Sequence, residues 1–344
     1  MIDFTYKLLI WYEENKRSLP WRKTSDAYKV WLSEIIMQQT RIEQGLPYYL
    51  KFIDAFPQIK YLAEADEQQV LKLWEGLGYY SRARNLHKTA QIIIEQYNSK
   101  FPDSYTELLK LKGVGPYTAA AIASIVFNEP IAAIDGNVLR VVSRLFLIEE
   151  PVDRSSTVNS IRSILQEFIT KEDPGTFNQA MMELGALICT PKKPNCDACP
   201  VSVHCLGFEN GVQDKLPVKV GKIKVKQEYF NYLIPDLDGK TEISKRNSGI
   251  WTGLYQFPLI VSKDRLLDVD EIEAIIEERG YGPPINLISS PIIKHVLTHK
   301  KIKACFWSFE TISINDNKES IIIKKSDLVK YPLPQLLVNF IKSM

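Results

Sequence analysis

The sequence has no uninterrupted apolar run of the roughly 18 residues that a membrane-spanning helix requires. Its N-terminus, MIDFTYKLLIWYEENK, carries acidic side chains where a secretion signal would carry positive charge. A formal net charge of +2 excludes a histone-like polycation, so any contact with nucleic acid must come from a local surface. These absences predict a cytoplasmic protein that neither spans a membrane nor is secreted.

A chain of 344 residues is longer than those that usually fold around a single hydrophobic core, which predicts more than one domain. Up to residue 190 it consists of segments with apolar residues at i, i+3 and i+4, separated by Pro, Gly and Asp-Gly breaks. After residue 226 the apolar residues alternate, in segments rich in aromatic and β-branched side chains, with helical patterns over 269–279 and 333–343. The pattern indicates an all-helical region followed by a smaller α+β domain.

The lysine-rich segment KLPVKVGKIKVK, residues 215–226, lies between these two regions. It lacks aromatic residues, which is typical of a linker, and its alternating second half is compatible with the start of a strand. We therefore predict a helical domain over residues 1–214, a linker over 215–226 and a second domain over 227–344.

Cysteine is rare, yet four of the five cysteines lie close together, in the spacing C-x6-C-x2-C-x5-C (Cys189, Cys196, Cys199 and Cys205). Without a secretion signal, this clustering indicates a metal site rather than a disulfide framework. Four thiolates in one short loop can hold a single zinc ion or an iron–sulfur cluster, and the spacing leaves both open. The fifth, Cys305, lies in a strand-like segment and is expected in the core.

A glycine-containing turn joins two helical segments at Leu111-Lys112-Gly113-Val114-Gly115. Gly113 and Gly115 permit a tight turn, and Pro116 suits the first turn of the next helix. The free N–H groups at that helix start favour an anion. The layout is that of a helix-hairpin-helix that binds a DNA backbone, although a plain turn between two helices would have the same residues.

Two acidic residues stand in contrasting surroundings. Glu34 lies in AYKVWLSEIIMQQT, a helical segment that is apolar almost all round, so its carboxyl is expected to be buried with a raised pKa. Asp135 directly precedes a helix, where an N-cap carboxylate stays ionised. Each could have only a structural role, but a protonated acid paired with an ionised one is what hydrolysis of a glycosidic bond requires.

The chain resembles the MutY family of adenine DNA glycosylases, within the helix-hairpin-helix glycosylase superfamily. The resemblance is carried by the four cysteines and the segments LPWR (19–22), VWLSEIIMQQTRI (30–42), WEGLGYYSRARNLH (74–87), LKGVGPYTAAAI (111–122), IDGNVLRV (134–141) and ELGALIC (183–189). It extends more weakly into GIWTGLYQFP (249–258) and HVLTH (295–299). It implies an all-α glycosylase domain with a four-cysteine cluster loop (189–205), followed by a Nudix-like α+β domain.

The same resemblance implies a chemistry. The four cysteines would hold a [4Fe–4S] cluster, and Glu34 would protonate N7 of a flipped adenine. Asp135 would stabilise the oxocarbenium-like sugar, with Asn137 supporting it. Tyr117 is similar to a family tyrosine at the position where endonuclease III has a Schiff-base lysine, so the enzyme is expected to be monofunctional and to leave an abasic site.

The resemblance further implies a set of residues that bind the base or the DNA. They are Trp21, Arg22, Gln39, Thr40, Leu77, Tyr79, Gly113, Gly115, Gln179, Thr298 and His299. Two positions depart from the family pattern. Gln179 stands where many relatives have an adenine-contacting glutamate, and Leu297-Thr298-His299 stands where the motif is usually Phe-Ser-His.

The second domain also departs from a working Nudix box. Its nearest approach is the segment 275–281, preceded by Glu273-Ala274 instead of Arg-Glu, and Arg265 occupies the upstream acid position. Diphosphate hydrolysis is therefore not expected, and the fold would serve recognition of the lesion strand.

The expected activity is removal of adenine opposite 8-oxoguanine or guanine in double-stranded DNA. The protein is expected to be a monomer that does not associate with a membrane and that lies at the nucleoid of a bacterium. One alternative is an endonuclease III-like pyrimidine glycosylase and lyase, against which Tyr117 and the C-terminal domain argue. Another is a catalytically idle iron–sulfur protein that binds DNA or transfers electrons, against which the presence of both Glu34 and Asp135 argues.

Overall fold

The helices end near the Pro and Gly breaks in the sequence. The computed structural model describes residues 2–221, 225–314 and 320–343. Its α-helices are α1 (Ile2–Asn15), α2 (Ala27–Met37), α3 (Ile42–Ala55), α4 (Ile59–Glu64), α5 (Glu67–Leu73), α6 (Ser81–Gln96), α7 (Tyr105–Leu108), α8 (Pro116–Phe127), α9 (Gly136–Leu145), α10 (Ser155–Gln166), α11 (Pro174–Leu187), α12 (Leu206–Glu209), α13 (Val269–Glu278) and α14 (Gln335–Ser343). The apolar spacing predicts most of them, but not α1, α4 or the short α12.

The strands all follow residue 225 of the described chain. They are β1 (Lys226–Asp236), β2 (Lys240–Lys245), β3 (Tyr255–Gln256), β4 (Leu259–Ser262), β5 (Ile285–Ser289), β6 (Ile293–Val296), β7 (Lys300–Glu310) and β8 (Ser320–Lys324). Single turns of 3-10 helix lie at Pro20–Arg22, Ser202–His204 and Gln213–Lys215, and a longer one at Lys325–Lys330. No helix in the described ranges is long and apolar enough to cross a bilayer.

Contacts divide the chain into two compact units. The helical unit comprises Met1–Glu64 and Asn85–Gly221, and the mixed unit comprises Ala65–Arg84 and Lys222–Met344. Residues 65–84, which lie within the predicted helical domain, thus belong by contacts to the mixed unit. The predicted domain limits at 214 and 227 stay a prediction.

The core of the helical unit lies where α1, α9, α10 and α11 meet, around side chains such as Leu8, Val142, Ile161 and Phe177. Helices α2 and α8 are buried over most of their length. Asp26, Asp135 and Asp173 accept backbone N–H bonds at the starts of α2, α9 and α11, which fixes where these helices begin.

The mixed unit has a sheet of order β4-β1-β7-β5, with β6 also paired to β7, and a smaller sheet of order β3-β2-β8. Strands β1 and β7 run parallel and the other pairs antiparallel. Alternate residues enter two cores: Tyr232 and Phe306 pack with α14, and Leu233 and Trp307 pack with α13. Cys305 is 5% exposed in the second core, as its sequence context predicts.

The first half of the predicted linker packs on the helical unit. Val152 donates its backbone N–H to the Val218 carbonyl at 3.0 Å, and the Asp153 carboxylate accepts from the backbone of Val220 and Gly221 at 3.2 and 2.6 Å. Strand β1 begins at Lys226. Residues 222–224, where the alternating pattern leaves room for a strand, lie outside the described residues.

Candidate active site

One cleft of about 180 Å³ in the helical unit collects residues from distant parts of the sequence. Its polar lining is Arg22, Glu34, Thr40, Tyr117, Asp135, Asn137 and Gln179, and Trp21 also lines it. These residues come from the Pro20–Arg22 turn, from α2 and the residues just after it, from α8, from the N-cap and first turn of α9, and from α11. The remaining walls are apolar: Leu19, Val30, Met37, Ile42, Ile125 and Met182. The cleft thus combines two carboxyl groups with apolar walls.

Glu34 is held among apolar residues of α2, where Ile35 and Ile36 are 3% and 0% exposed. Burial raises the pKa of its carboxyl to about 7. A hydrogen bond from the Tyr117 hydroxyl works against this rise, and the nearby Asp135 charge adds to it. The Glu34 carboxyl can therefore carry a proton close to neutral pH.

Asp135 is the N-cap of α9, with extended backbone before the helix. One carboxylate oxygen accepts from Val138 N at 2.8 Å and the other from Asn137 Nδ2 at 2.7 Å. Burial raises the pKa of Asp135, and these hydrogen bonds oppose the rise because they stabilise the anion. The cap predicted from the sequence is present, and so is a desolvation penalty that the sequence pattern does not show.

Asn137 is itself held in place from two sides. Its Oδ1 accepts from Arg140 Nη2 at 2.9 Å, and the same nitrogen donates to the Gly185 carbonyl at 2.8 Å. A Cβ on Gly185 would stand 2.6 Å from Asn137 Cβ, so only glycine allows α11 to approach α9 this closely. Arg140 Nε also donates to the Cys189 carbonyl at 2.7 Å, which links the start of α9 to the cysteine loop.

Tyr117, in the first turn of α8, presents its hydroxyl to Glu34 and to Met182 Sδ, the latter at 3.2 Å. Burial raises the pKa of this phenol well above its ordinary value, so it remains neutral. Among the described residues that line the cleft there is no lysine. The cleft therefore offers acids and hydroxyls but no primary amine.

The structure adds two residues that the sequence analysis did not single out, Arg17 and Glu183. The fully buried Glu183 carboxylate on α11 accepts from Arg17 N, Nε and Nη2 at 2.9, 2.8 and 2.6 Å and from Arg22 Nη1 and Nη2 at 2.9 and 2.8 Å. Burial alone would raise the pKa of Glu183, but the two guanidinium groups lower it to about 2. Arg22 is thereby clamped at the edge of the cleft. The sequence signal that could have identified Glu183 is an acidic residue on a face of α11 whose other residues are buried.

The glycine turn has the predicted hairpin geometry, with α7 before it and α8 after it. Gly113 has φ +81°, and a Cβ there would stand 2.8 Å from Asn85 Cβ, so glycine is required twice over. Gly115 is the N-cap of α8 and faces open space. Gln39 follows α2 at φ +55°, is exposed, and does not line the cleft.

In the mixed unit, Leu77, Tyr79, Thr298 and His299 line a separate cleft of about 400 Å³. The hydroxyls of Tyr79 and Thr298 are hydrogen-bonded to each other. Ten further residues share this lining, namely Gly78, Tyr80, Ser81, Arg84, Gly249, Ile250, Trp251, Val296, Leu297 and Lys300. Segments 77–81 and 296–300 are thus brought together, although more than two hundred residues separate them in the sequence.

The four clustered cysteines line one cavity next to α9. The Arg144 guanidinium, 1% exposed, donates to Cys189 Sγ at 3.2 Å and to the carbonyls of Thr190 and Gln213 at 2.8 and 2.7 Å. Within the described ranges, no three His, Cys, Asp or Glu side chains are grouped closely enough to hold a single metal ion. The four cysteines share the lining of this cavity.

Two family matches cover most of the chain. Residues 32–168 match the HhH-GPD superfamily base excision DNA repair protein family, and residues 232–343 match the NUDIX domain family. The matches confirm the predicted fold class of a helix-hairpin-helix domain followed by a smaller Nudix-like domain.

Relatives and solved structures agree with these matches. The chain is 34% identical to an adenine DNA glycosylase of Buchnera aphidicola subsp. Baizongia pistaciae, over 96% of this chain and 91% of the relative. It is 34% identical to the human adenine DNA glycosylase over 90% of this chain and 57% of the relative. A thermostable thymine-DNA glycosylase structure matches at 27% identity and TM-score 0.55, over 60% of this chain and 95% of that one. An endonuclease III–DNA complex, at 22% identity and TM-score 0.53 over 61% and 95%, shows the same fold. The chain therefore belongs to the adenine DNA glycosylase family, the DNA N-glycosylases of base excision repair that combine an HhH-GPD region with a Nudix domain.

Proposed function

We propose that this protein removes adenine paired with 8-oxoguanine or guanine from duplex DNA, as a monomer associated with the nucleoid of a bacterial cell. The observation that carries the proposal is the shared cleft of Glu34 and Asp135, in which one carboxyl holds a proton near neutral pH and the other is stabilised as an anion by helix N–H groups. A base cannot reach such a cleft from within a helical stack, so the adenine must be flipped out.

The two acids divide the reaction between them. Protonated Glu34 donates its proton to N7 of the adenine, the C1′–N9 bond breaks, and its electron pair leaves with the base. Asp135 stabilises the positive charge that develops on the sugar. A water molecule then adds to C1′, and its proton goes to the Glu34 carboxylate, which restores the acid. Asn137 and Tyr117 hold the two carboxyl groups in position through the contacts described above.

Tyr117 supports a monofunctional reaction. A lyase needs an amine that forms a Schiff base with the sugar, and the phenol cannot supply one. We expect an abasic site as the product and no covalent complex on treatment with borohydride. A pyrimidine glycosylase and lyase would give the opposite result.

A direct assay tests the proposed function. Duplexes that carry adenine opposite 8-oxoguanine, guanine or thymine are incubated with the protein, and alkali-labile strand breaks are scored. Breaks at adenine opposite 8-oxoguanine and guanine are the expected result. Cleavage only at damaged pyrimidines would favour an endonuclease III-like activity, and DNA binding without base release would favour an idle binding protein.

We further propose that Cys189, Cys196, Cys199 and Cys205 bind a [4Fe–4S] cluster. Four thiols around one cavity, with a guanidinium that donates to one of them, would supply the ligand set of such a cluster, and the family resemblance favours it over a single zinc ion. The four cysteines, by binding one cluster, would cross-link residues 189–205. The exposed Lys192 and Lys193 of that loop are then held where they can meet a DNA backbone.

Cys199→Ser is expected to lower iron content and visible absorption and to weaken duplex binding more than the single-turnover rate of bound substrate. The reason is that the loop shape depends on its metal, whereas Glu34 and Asp135 are held by α2 and α9. The matched control is Cys305→Ser, which removes a buried thiol outside the loop and should retain iron. Wild-type protein that is fully active without iron would contradict the proposal that these cysteines bind an iron–sulfur cluster.

The second cleft supports a role for the mixed unit in reading the lesion strand. Tyr79, 44% exposed, offers an aromatic face that can fill the gap left by a flipped base, and the Thr298 hydroxyl stands beside it. Diphosphate hydrolysis finds no support, because Arg265, at the upstream acid position, pairs with Glu271 at 2.7 Å. Open space around Gly115 at the start of α8 supports a phosphate contact by the hairpin.

Thr298→Ala is expected to lower the ratio of excision rates on adenine opposite 8-oxoguanine and opposite guanine by about two- to tenfold, the effect of one neutral hydrogen bond. Thr252→Ala is the control, since that hydroxyl donates locally to the Gly249 carbonyl at 2.8 Å. Both substrates are compared at one salt concentration because backbone binding depends on salt. An unchanged ratio would assign the discrimination to residues other than Thr298.

A further inference from the structure

We propose that Tyr12 is a positioning residue that fixes the orientation of the Gln179 side-chain amide, and thereby sets the preference of the base pocket for adenine over 6-oxopurines. The inference rests on the proposed function, since it takes the cleft of Glu34 and Asp135 to be the pocket for the flipped base.

The main evidence is a hydrogen bond between Tyr12 on α1 and Gln179 on α11. The Tyr12 hydroxyl donates to Gln179 Oε1 at 2.6 Å, across 167 residues of sequence. Tyr12 is 2% exposed and belongs to the core of the helical unit, whereas Gln179 lines the cleft. A core side chain therefore holds one end of a pocket side chain.

In this hydrogen bond the phenol is the donor and the amide oxygen is the acceptor. Burial raises the pKa of Tyr12 to about 12, so the hydroxyl keeps its proton throughout the working pH range. A neutral phenol can donate or accept, but turning the amide round would remove the oxygen to which the buried Tyr12 hydroxyl now donates its proton, and a buried donor without an acceptor is costly.

The Tyr12 ring is itself held. The Arg22 guanidinium lies 5.6 Å from the ring centroid, and Glu183 fixes that guanidinium through hydrogen bonds of 2.9 and 2.8 Å. Lys16 Nζ lies over the same ring at 5.5 Å. Because the ring is buried and lies against the fixed Arg22 guanidinium, the hydroxyl is aimed at Oε1, and a half-turn of the Gln179 amide would break this hydrogen bond.

The orientation matters because an amide has a donor end and an acceptor end. The Watson–Crick edge of a flipped adenine presents an exocyclic N–H donor next to the N1 acceptor, and glutamine can bind both while N7 is left to Glu34. The Tyr12 hydroxyl takes one lone pair of Oε1, so its second lone pair and the Nε2 hydrogens are the groups that a base can meet. The reversed amide would instead match the exocyclic oxygen and the N1–H donor of guanine or hypoxanthine.

The bond from Tyr12 also accounts for the departure of Gln179 from the family pattern. A carboxylate at position 179 presents an oxygen in either orientation, so it needs no partner to orient it. Gln179 does need one, and Tyr12 supplies it.

Tyr12→Phe is the test, because it keeps the ring under Arg22 and removes only the hydroxyl. Single-turnover rates are measured on duplexes with adenine or hypoxanthine opposite 8-oxoguanine. We expect the rate on adenine to fall about three- to tenfold. The rate on hypoxanthine should stay constant or rise, so the ratio of the adenine rate to the hypoxanthine rate falls. A smaller value of this ratio is what is meant below by a narrower ratio. General damage to the fold would lower both rates and leave the ratio unchanged.

Two further variants separate orientation from structure. Tyr28→Phe removes another buried hydroxyl of the same unit, which donates to the Phe56 carbonyl at 2.7 Å, and should keep the wild-type ratio. In the Gln179→Glu background, Tyr12→Phe should leave the ratio unaltered, because a carboxylate has no end to orient. Narrowing of the ratio to the same extent in both backgrounds would overturn the proposal.

Gln179→Leu gives a readout that does not depend on how well Tyr12→Phe folds. It leaves Tyr12 in place and should narrow the ratio as far as Tyr12→Phe does. A wild-type ratio in either single variant, in an enzyme that releases adenine, would overturn the inference and leave the proposed function standing. Wild-type protein that releases no adenine from any of these duplexes would overturn the proposed function, and the inference with it.

Discussion

Glu34→Gln is expected to lower the single-turnover rate of adenine release by roughly 10²–10⁴-fold, while binding of the lesion duplex stays close to wild type. The amide keeps the shape of the carboxyl in its pocket on α2 but has no proton to donate to the base. Rate and affinity are measured on the same duplex. Excision close to the wild-type rate would remove Glu34 from the role of general acid.

The pH profile provides an independent check on the same residue. With a pKa of about 7, Glu34 is protonated below neutrality and loses its proton above it, so the wild-type rate should fall as the pH rises through 7. At the acid end the rate should fall as Asp135 becomes protonated, at a pH above that of an ordinary aspartate because burial raises the pKa of Asp135. Glu43→Gln, an exposed acid in the first turn of α3, should keep the wild-type profile.

Asp135→Asn is expected to lower the same rate by about 10²–10³-fold, the usual effect of removing one preorganised electrostatic contact. Asparagine is as good an N-cap as aspartate, so α9 should still start at Gly136 and only the negative charge is lost. A single-turnover rate within about tenfold of wild type would show that the electrostatic role is wrong.

The matched control for this change is Asp173→Asn. Asp173 caps α11 in the same way, by accepting from Thr176 N at 3.0 Å, and does not line the cleft of Glu34 and Asp135. Both variants should unfold at temperatures close to wild type, and only Asp135→Asn should lose activity. Equal losses of activity would indicate that capping, rather than charge at the sugar, explains the effect.

Local pattern in the sequence determined a large part of this protein. The apolar spacing around Glu34 predicts a buried helix, and the carboxyl is held there with a raised pKa. Asp135 directly before a helical segment predicts a cap, and its carboxylate accepts the Val138 N–H. Gly113 before Gly115 predicts a tight turn, and Gly113 has positive φ. Helix propensity, capping and turn chemistry act over a few residues, so a sequence displays them directly.

Other features were decided only by the tertiary structure. Nothing in the sequence near Arg22 or Gln179 indicates what holds them. In the structure, Glu183 on α11 accepts hydrogen bonds from Arg22, and Tyr12 on α1 donates to Gln179 on α11. Likewise, the bond from Arg144 to Cys189 exists only because α9 packs against the cysteine loop. Residues 65–84 carry helical patterns, yet by contacts they group with the mixed unit. Periodicity shows which face of an element is buried. The partner that a charged or polar side chain meets there depends on helix packing over more than a hundred residues, and a single sequence carries no local signal of that packing.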